Sequence, residues 1–201
     1  MEIFTDPIGY KKWYELHEKI YESERNLVSQ FKPTNCLDIG SGPGIFHEVF
    51  SGRIISLDIS IFMLKQLGEN EDKILADAHY LPIRDKSLEC AFISVTICFL
   101  SNIEDFYKEI SRVLKGRVIT CFVPRDSPWG EHYYELGLKG HKYYSYANFI
   151  KKKELYDILK KYFEIVKVKS TLFITPSEGE KVDKIEDNDN GSFVCIEAKA
   201  K

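Results

Sequence analysis

The chain has 201 residues, 44% hydrophobic and 29% charged, which is enough for one sizeable core and leaves little for a second full domain. A formal net charge of −3 and a pI near 6.0 give no basic field to attract a nucleic-acid backbone. No apolar run is long enough to span a bilayer and no basic-then-apolar leader is visible, so a cytoplasmic protein without a membrane partner is expected.

Residues 10–31 place Trp13, Leu16, Ile20, Leu27, Val28 and Phe31 at helical spacing, with one weak turn around Glu24 and a stop at Pro33. Tyr10, Trp13 and Tyr14 either pack this segment on a sheet or close over a ligand. Residues 35–39 form a short apolar strand that contains Asp38 and breaks into Gly40, Gly42 and Gly44. Glycine has no side chain and tolerates positive φ, so backbone there can approach a ligand closely. Ile45, Phe46, Val49 and Phe50 continue at helical spacing, which predicts a helix whose first N–H groups add donors to the turn. Strand, glycine turn and helix start make a nucleotide-site geometry.

Residues 53–57 are a second strand ending at Asp58, whose carboxylate could accept two hydrogen bonds from a ribose diol. A third strand, 73–76, ends at Asp77. Carboxylates at the ends of successive strands mark the crevice where open α/β sheets bind ligands. Ser60 caps a short helix through Ile61, Met63, Leu64 and Leu67, stopped by Gly68. Residues 90–99 are nearly unbroken in hydrophobicity, as a central parallel strand covered on both faces requires. Ser101 and Glu104 have capping-box spacing. An amphipathic helix follows through Ile103, Phe106, Ile110, Val113 and Leu114, and residues 117–123 are a fifth strand stopped by Pro124. This alternation predicts an α/β, Rossmann-like, doubly wound and mostly parallel sheet with helices on both faces.

Residues 125–148 break the rhythm. They hold Trp129, His132, Tyr133, Tyr134, His141, Tyr143, Tyr144 and Tyr146 with no helix or strand period, and they follow a strand's C-terminal edge, where lids lie. His132 and His141 are the candidate bases; His79 reads as a loop residue. Residues 152–163 resume as a helix. Residues 165–175 and 192–198 then alternate as two strands of an antiparallel hairpin, joined by a polar, mobile loop over 177–191. The five cysteines are dispersed without a Cys-x-x-Cys pair, which suits free thiols in a reduced compartment; no metal site is expected.

At this point the pattern resembles the class I S-adenosylmethionine-dependent methyltransferases, in particular the small type 11 family. The matching pieces are Leu37-Asp38-Ile39-Gly40-Ser41-Gly42-Pro43-Gly44, Leu57-Asp58-Ile59-Ser60 with Met63-Leu64, and Ala76-Asp77-Ala78 with Leu81-Pro82. Thr96-Ile97-Cys98-Phe99-Leu100 and Glu109-Ile110-Ser111-Arg112-Val113-Leu114-Lys115 continue them in the family's order, although Lys115-Gly116-Arg117 is shorter than the family's usual Pro-Gly-Gly turn. The resemblance implies a seven-stranded sheet with an antiparallel last strand, in one domain over 1–201: an N-terminal helical segment at 1–33, a lid at 125–150 and a hairpin at 164–201. It also assigns cofactor roles. Gly40, Ser41, Gly42 and Gly44 would cradle the methionine part, with Asp38 near its ammonium and the Thr96 backbone facing it. Asp58 would hold the ribose, Ile59 and Met63 flank the adenine, and Asp77 with the Ala78 amide read the adenine edge.

The reaction implied is methyl transfer to an acceptor, with S-adenosylhomocysteine as the other product. Tyr10, Trp13, Tyr14, Trp129, Tyr133 and Tyr134 are expected to form the substrate lid. A small molecule is the expected acceptor, with a protein side chain as the alternative and no nucleic acid. Two rival readings are a non-catalytic cofactor-binding sensor or partner subunit and an NAD-dependent oxidoreductase. The second is disfavoured because its Gly-x-Gly-x-x-Gly spacing differs from the even spacing of Gly40, Gly42 and Gly44.

Overall fold

A computed structural model describes residues 4–69 and 71–201; residues 1–3 of the N-terminal segment lie outside them. Seven strands form one sheet in the order β3-β2-β1-β4-β5-β7-β6. β1 (Leu37–Ile39), β2 (Ile55–Asp58), β3 (Asp72–Leu75), β4 (Leu88–Ser94) and β5 (Leu114–Phe122) pair in parallel. β7 (Phe193–Ala200) enters antiparallel between β5 and β6 (Phe163–Thr171). The strand order reverses between β1 and β4, which opens a crevice beyond their C-terminal ends.

Side-chain alternation builds both layers. β4 sends Ala91 and Ile93 to one face and Cys90 and Phe92 to the other. The first face is covered by α4 (Ile103–Val113) and α6 (Lys152–Tyr162) through Phe106, Tyr107, Ile110, Leu155 and Leu159. The second is covered by α2 (Glu18–Ser29) and α5 (Pro128–Leu138) through Ile20, Leu27, Val28, Trp129 and Tyr133. Among the described residues no helix is long and apolar enough to cross a membrane.

Several sequence expectations are corrected. The first segment is two helices, α1 (Pro7–Leu16) and α2, and the break falls at His17 (φ −115°, ψ 45°) rather than at Glu24. Glu24 instead lies inside the buried stripe of α2, beside Ile20, Leu27 and Val28. No α-helix follows the glycine turn. Residues 44–50 close i→i−3 hydrogen bonds and form only a 3₁₀ turn, His47–Val49, because Ser51 must return to pair with Thr34. The apolar run after Cys90 stops being strand at Ser94, since Val95 has φ +53°. α4 is capped by Asn102, whose Oδ1 accepts from the Asp105 N–H at 3.0 Å, not by the Ser101–Glu104 box.

The aromatic insertion is not irregular either. Ser127 Oγ caps α5 by accepting from the Gly130 N–H, and Pro128 starts the helix; two glycines and a weak apolar face hide it from a period search. The loop expected to be mobile is fastened. Asp183 Oδ2 accepts from the Phe173 and Ile174 N–H groups at 2.6 and 2.9 Å, the Lys184 carbonyl accepts from Thr171 Oγ1, and Glu180 meets His17.

The free-thiol expectation fails for four of the five cysteines. Cys36, just before β1, bonds Cys90 in β4, Cys121 bonds Cys195 across β5 and β7, and Cys98 is free and buried. The partners are 54 and 74 residues apart, so only the strand order reveals them. A disulfide typically stabilises a fold by about 2–4 kcal/mol. Thiol titration of the unfolded, unreduced chain is therefore expected to give one reactive group, rising to five after reduction. Five groups before reduction would remove both bridges.

Candidate functional site

Three chain turns meet at the C-terminal edge of the sheet. After β1, the Gly40 and Ser41 N–H groups donate to the Leu57 carbonyl at 2.7 and 3.1 Å, which ties the glycine turn to β2. After β2, Asp58 sits buried with both oxygens engaged: Oδ2 accepts from the Gly42 N–H and Oδ1 from the Ser60 N–H, each at 2.8 Å. After β3, Asp77 Oδ1 accepts from the His79 N–H at 2.9 Å and lies 2.8 Å from its Nδ1. The His79 backbone bond holds the Asp77 carboxyl below its ordinary range, whereas burial raises that of Asp58 against the pull of its two amide donors.

These turns enclose a cleft of about 210 Å³. Gly40, Gly42, Asp58, Ile59, Met63, Asp77, Ala78 and Thr96 all line it, so most of the predicted cofactor residues converge on one space. Asp38 and Ser41 face a smaller recess beside it, shared with Gly40, Gly42 and Tyr10. Gly44 lines neither; its α-carbon instead lies against the His47 ring and Leu67.

His47 is a residue the sequence reading missed. Its Nε2 donates to Asp38 Oδ2 at 2.9 Å, and its Nδ1 stands 3.3 Å from Glu71 Oε2. Burial raises the Asp38 carboxyl, and the His47 bond offsets part of that. Burial alone would lower the His47 pKa, but the Asp38 bond and charge with the Glu71 charge outweigh it and hold the ring above its ordinary value. Asp38 and His47 thus form a hydrogen-bonded pair at the base of the glycine turn.

A second cavity, about 50 Å³, adjoins the cleft. The two share Tyr10, Val95 and Phe99 as a common wall. Trp13, Tyr14 and Tyr133, three of the predicted lid residues, line this second space, together with Tyr143, Tyr144 and Phe149. Trp129 is elsewhere: it is buried in the core and its Nε1 donates to the Ile174 carbonyl at 2.8 Å. Tyr134 is exposed, with the Arg125 guanidinium 4.0 Å from its ring centroid. Neither candidate base lines either of these two cavities. His132 packs beside Trp129 and Tyr133, and His141 stacks on Tyr144 with Nδ1 turned to the Tyr143 and Tyr144 N–H groups.

Glu24 also lines the second cavity. Burial pushes its carboxyl up to about 8, so it is mostly neutral at pH 7. The titratable groups facing it are the phenols of Tyr10, Tyr14, Tyr21, Tyr133 and Tyr144, which burial raises too, and the Cys98 thiol. A folded pKa above the unfolded value makes the native state hold its proton longer, so stability falls as pH rises from about 4.5 towards 8. The loss is on the order of a few kcal/mol. The melting temperature of the wild type relative to Glu24→Gln is expected to fall between pH 5 and pH 8; a constant difference would show that Glu24 does not titrate there.

The fold and the crevice together define the class I methyltransferase architecture. The family model described as "Methyltransferase domain" matches residues 37–122. A SAM-dependent methyltransferase of Thermotoga maritima, described as a possible histamine N-methyltransferase, superposes with a TM-score of 0.88 at 30% identity, covering 100% of this chain and 99% of its own. An uncharacterized protein of Methanocaldococcus jannaschii is 35% identical over 94% of both chains. A malonyl-[acyl-carrier protein] O-methyltransferase of Marinomonas is 34% identical over 53% of this chain and 44% of that enzyme. The chain belongs to the class I S-adenosylmethionine-dependent methyltransferases, in the type 11 family.

Proposed function

We propose that this chain binds S-adenosylmethionine in the larger cleft and transfers its methyl group to a small molecule held in the aromatic cavity next door. The observation that carries the reading is the common wall of Tyr10, Val95 and Phe99, by which a second, aromatic cavity adjoins the larger cleft.

The residues present fit the donor. A Cβ added at Gly42 would enter open space, with Tyr10 Cε1 the nearest atom at 4.0 Å, so the turn presents bare backbone to the cleft. Asp58 would take the ribose hydroxyls on lone pairs its two amide donors leave free, since a carboxylate has about four acceptor sites. Ile59 and Met63 would flank the adenine, and Asp77 with the Ala78 amide would read its edge. The glycine turn and the Thr96 backbone would hold the methionine part, with Asp38 nearest its ammonium. When bound, S-adenosylmethionine supplies a methyl group already activated on a sulfonium.

The chain's own contribution is then alignment and exclusion of water. Holding two reactants at near-attack geometry is worth about 7–11 kcal/mol. His132 and His141 lie outside both cavities and are given no proton to carry. The test is transfer of labelled methyl from S-adenosylmethionine into the small-molecule fraction of a cell extract. Label in that fraction supports the reading. Binding without transfer would favour a sensor or partner subunit, and label in protein alone would move the acceptor to a side chain.

A further inference from the structure

The acceptor cavity holds a feature that packing alone does not account for. Glu24 is only 4% exposed, and among the described residues no donor reaches its Oε2. The other buried acids are satisfied: Asp38 by His47, and Asp58 by the Gly42 and Ser60 amides. A buried carboxyl without a partner is costly, and a position serving only the α2 packing stripe would be better filled by an apolar residue. A second unpartnered polar atom, the Tyr133 hydroxyl, is buried against the same space. The rings of Trp13, Tyr14, Tyr144 and Phe149 supply the remaining walls.

We infer that this cavity recognises an organic cation, and that the methyl acceptor is a small amine that enters as its ammonium between Glu24 and the surrounding rings. There it yields one proton to the Glu24 carboxylate, and with the freed lone pair takes the methyl from the sulfonium, leaving S-adenosylhomocysteine and a methylammonium. An ammonium is donor-only and can satisfy both Glu24 Oε2 and the Tyr133 oxygen at once. Ring faces attract positive charge, most strongly where water is excluded. No Lys, Arg or His lines the cavity among the described residues, so nothing inside competes for the carboxyl. An acceptor without a hydrogen-bond donor would leave Glu24 Oε2 unsatisfied, and an anionic one would be repelled once Glu24 ionises. The raised Glu24 carboxyl fits the same role, because a cation entering beside it will draw its proton off. Glu24 is thereby a specificity-determining residue. The acceptor assignment rests on the methyltransferase reading; cation recognition by the cavity does not.

The experiment uses choline and 3,3-dimethylbutan-1-ol, a pair alike in shape that differ in charge, titrated by calorimetry into the whole chain with and without S-adenosylhomocysteine. Wild type is expected to prefer choline by roughly tenfold or more through charge and ring faces alone, since its quaternary nitrogen has no N–H to donate. The preference should grow from pH 6 to pH 9 as Glu24 ionises, and in Glu24→Gln it should shrink to the rings' share and lose its pH dependence. Equal affinity for the two probes, or a preference whose size and pH dependence are unchanged in Glu24→Gln, overturns the inference. Should that variant fail to melt cooperatively, the wild-type pH series decides, and a preference independent of pH is the contrary result. S-adenosylhomocysteine titrated alone tests the donor reading separately: its failure with the choline preference intact would sink methyl transfer and leave the cation site standing.

Discussion

Asp58→Ala is expected to weaken S-adenosylmethionine binding by roughly ten- to a hundredfold, because a hydrogen bond to a charged group is worth on the order of 1.5–3 kcal/mol. The carboxylate does two jobs. In the free protein it fastens the Gly42 and Ser60 amides, and thus joins the glycine turn after β1 to the loop after β2. With donor bound it would also accept the ribose hydroxyls. Asp58→Asn separates the two roles, since the amide oxygen can still accept one backbone N–H while the charge is gone. Calorimetry should show the alanine variant weakest and the asparagine variant intermediate. Unchanged affinity in both would remove Asp58 from the site.

The second large effect is expected at the glycine turn, and two neighbours there are predicted to differ. Gly40 has φ +70°, and a Cβ added to it would press into the Thr96 side chain, 2.5 Å from its Oγ1. Gly42 has φ +53° but opens onto the cleft. Left-handed backbone costs an alanine about 1–2 kcal/mol at either position, equivalent to a melting shift of about 2–8 °C for a chain of this size. Gly40→Ala must in addition displace Thr96, so it should lose more stability than Gly42→Ala. Gly42→Ala should keep its fold yet bind donor poorly, since its methyl projects into ligand space. Equal melting losses, or a Gly42→Ala variant with full affinity, would contradict this account of the turn.

How much of this was legible follows from range. Strand ends at Asp58 and near Asp77, and the glycines between β1 and the next turn, are local signals: a carboxylate or glycine at the end of an apolar run is visible without knowing the fold. Gly40, Gly42, Asp58 and Asp77 line one cleft, whereas Gly44 does not. The helix expected after Gly44 failed because apolar spacing over 45–50 fits a 3₁₀ turn as well as a helix, and the chain has to return at Ser51. His47 was overlooked for a related reason: its partner Asp38 lies across that turn.

The place of Glu24 is not legible in the sequence. An acid within an apolar stripe looks like a helix weakness, and only the packing of α2 against the aromatic insertion shows it facing a cavity. The cystines are the same lesson at longer range, since β1 meets β4 and β5 meets β7 only in the finished sheet. Trp129, Tyr133 and Tyr134 are close in sequence, but a helix turns its side chains through successive directions. One of the three faces the cavity, one the core and one the solvent.

The central claim is that the crevice beyond β1, β2 and β4 is a site for an adenosyl sulfonium compound, and calorimetric titration of the purified chain with S-adenosylhomocysteine tests it most directly. The account predicts saturable heat at one site per chain, together with a raised melting temperature. No heat and no thermal shift at millimolar ligand would contradict it.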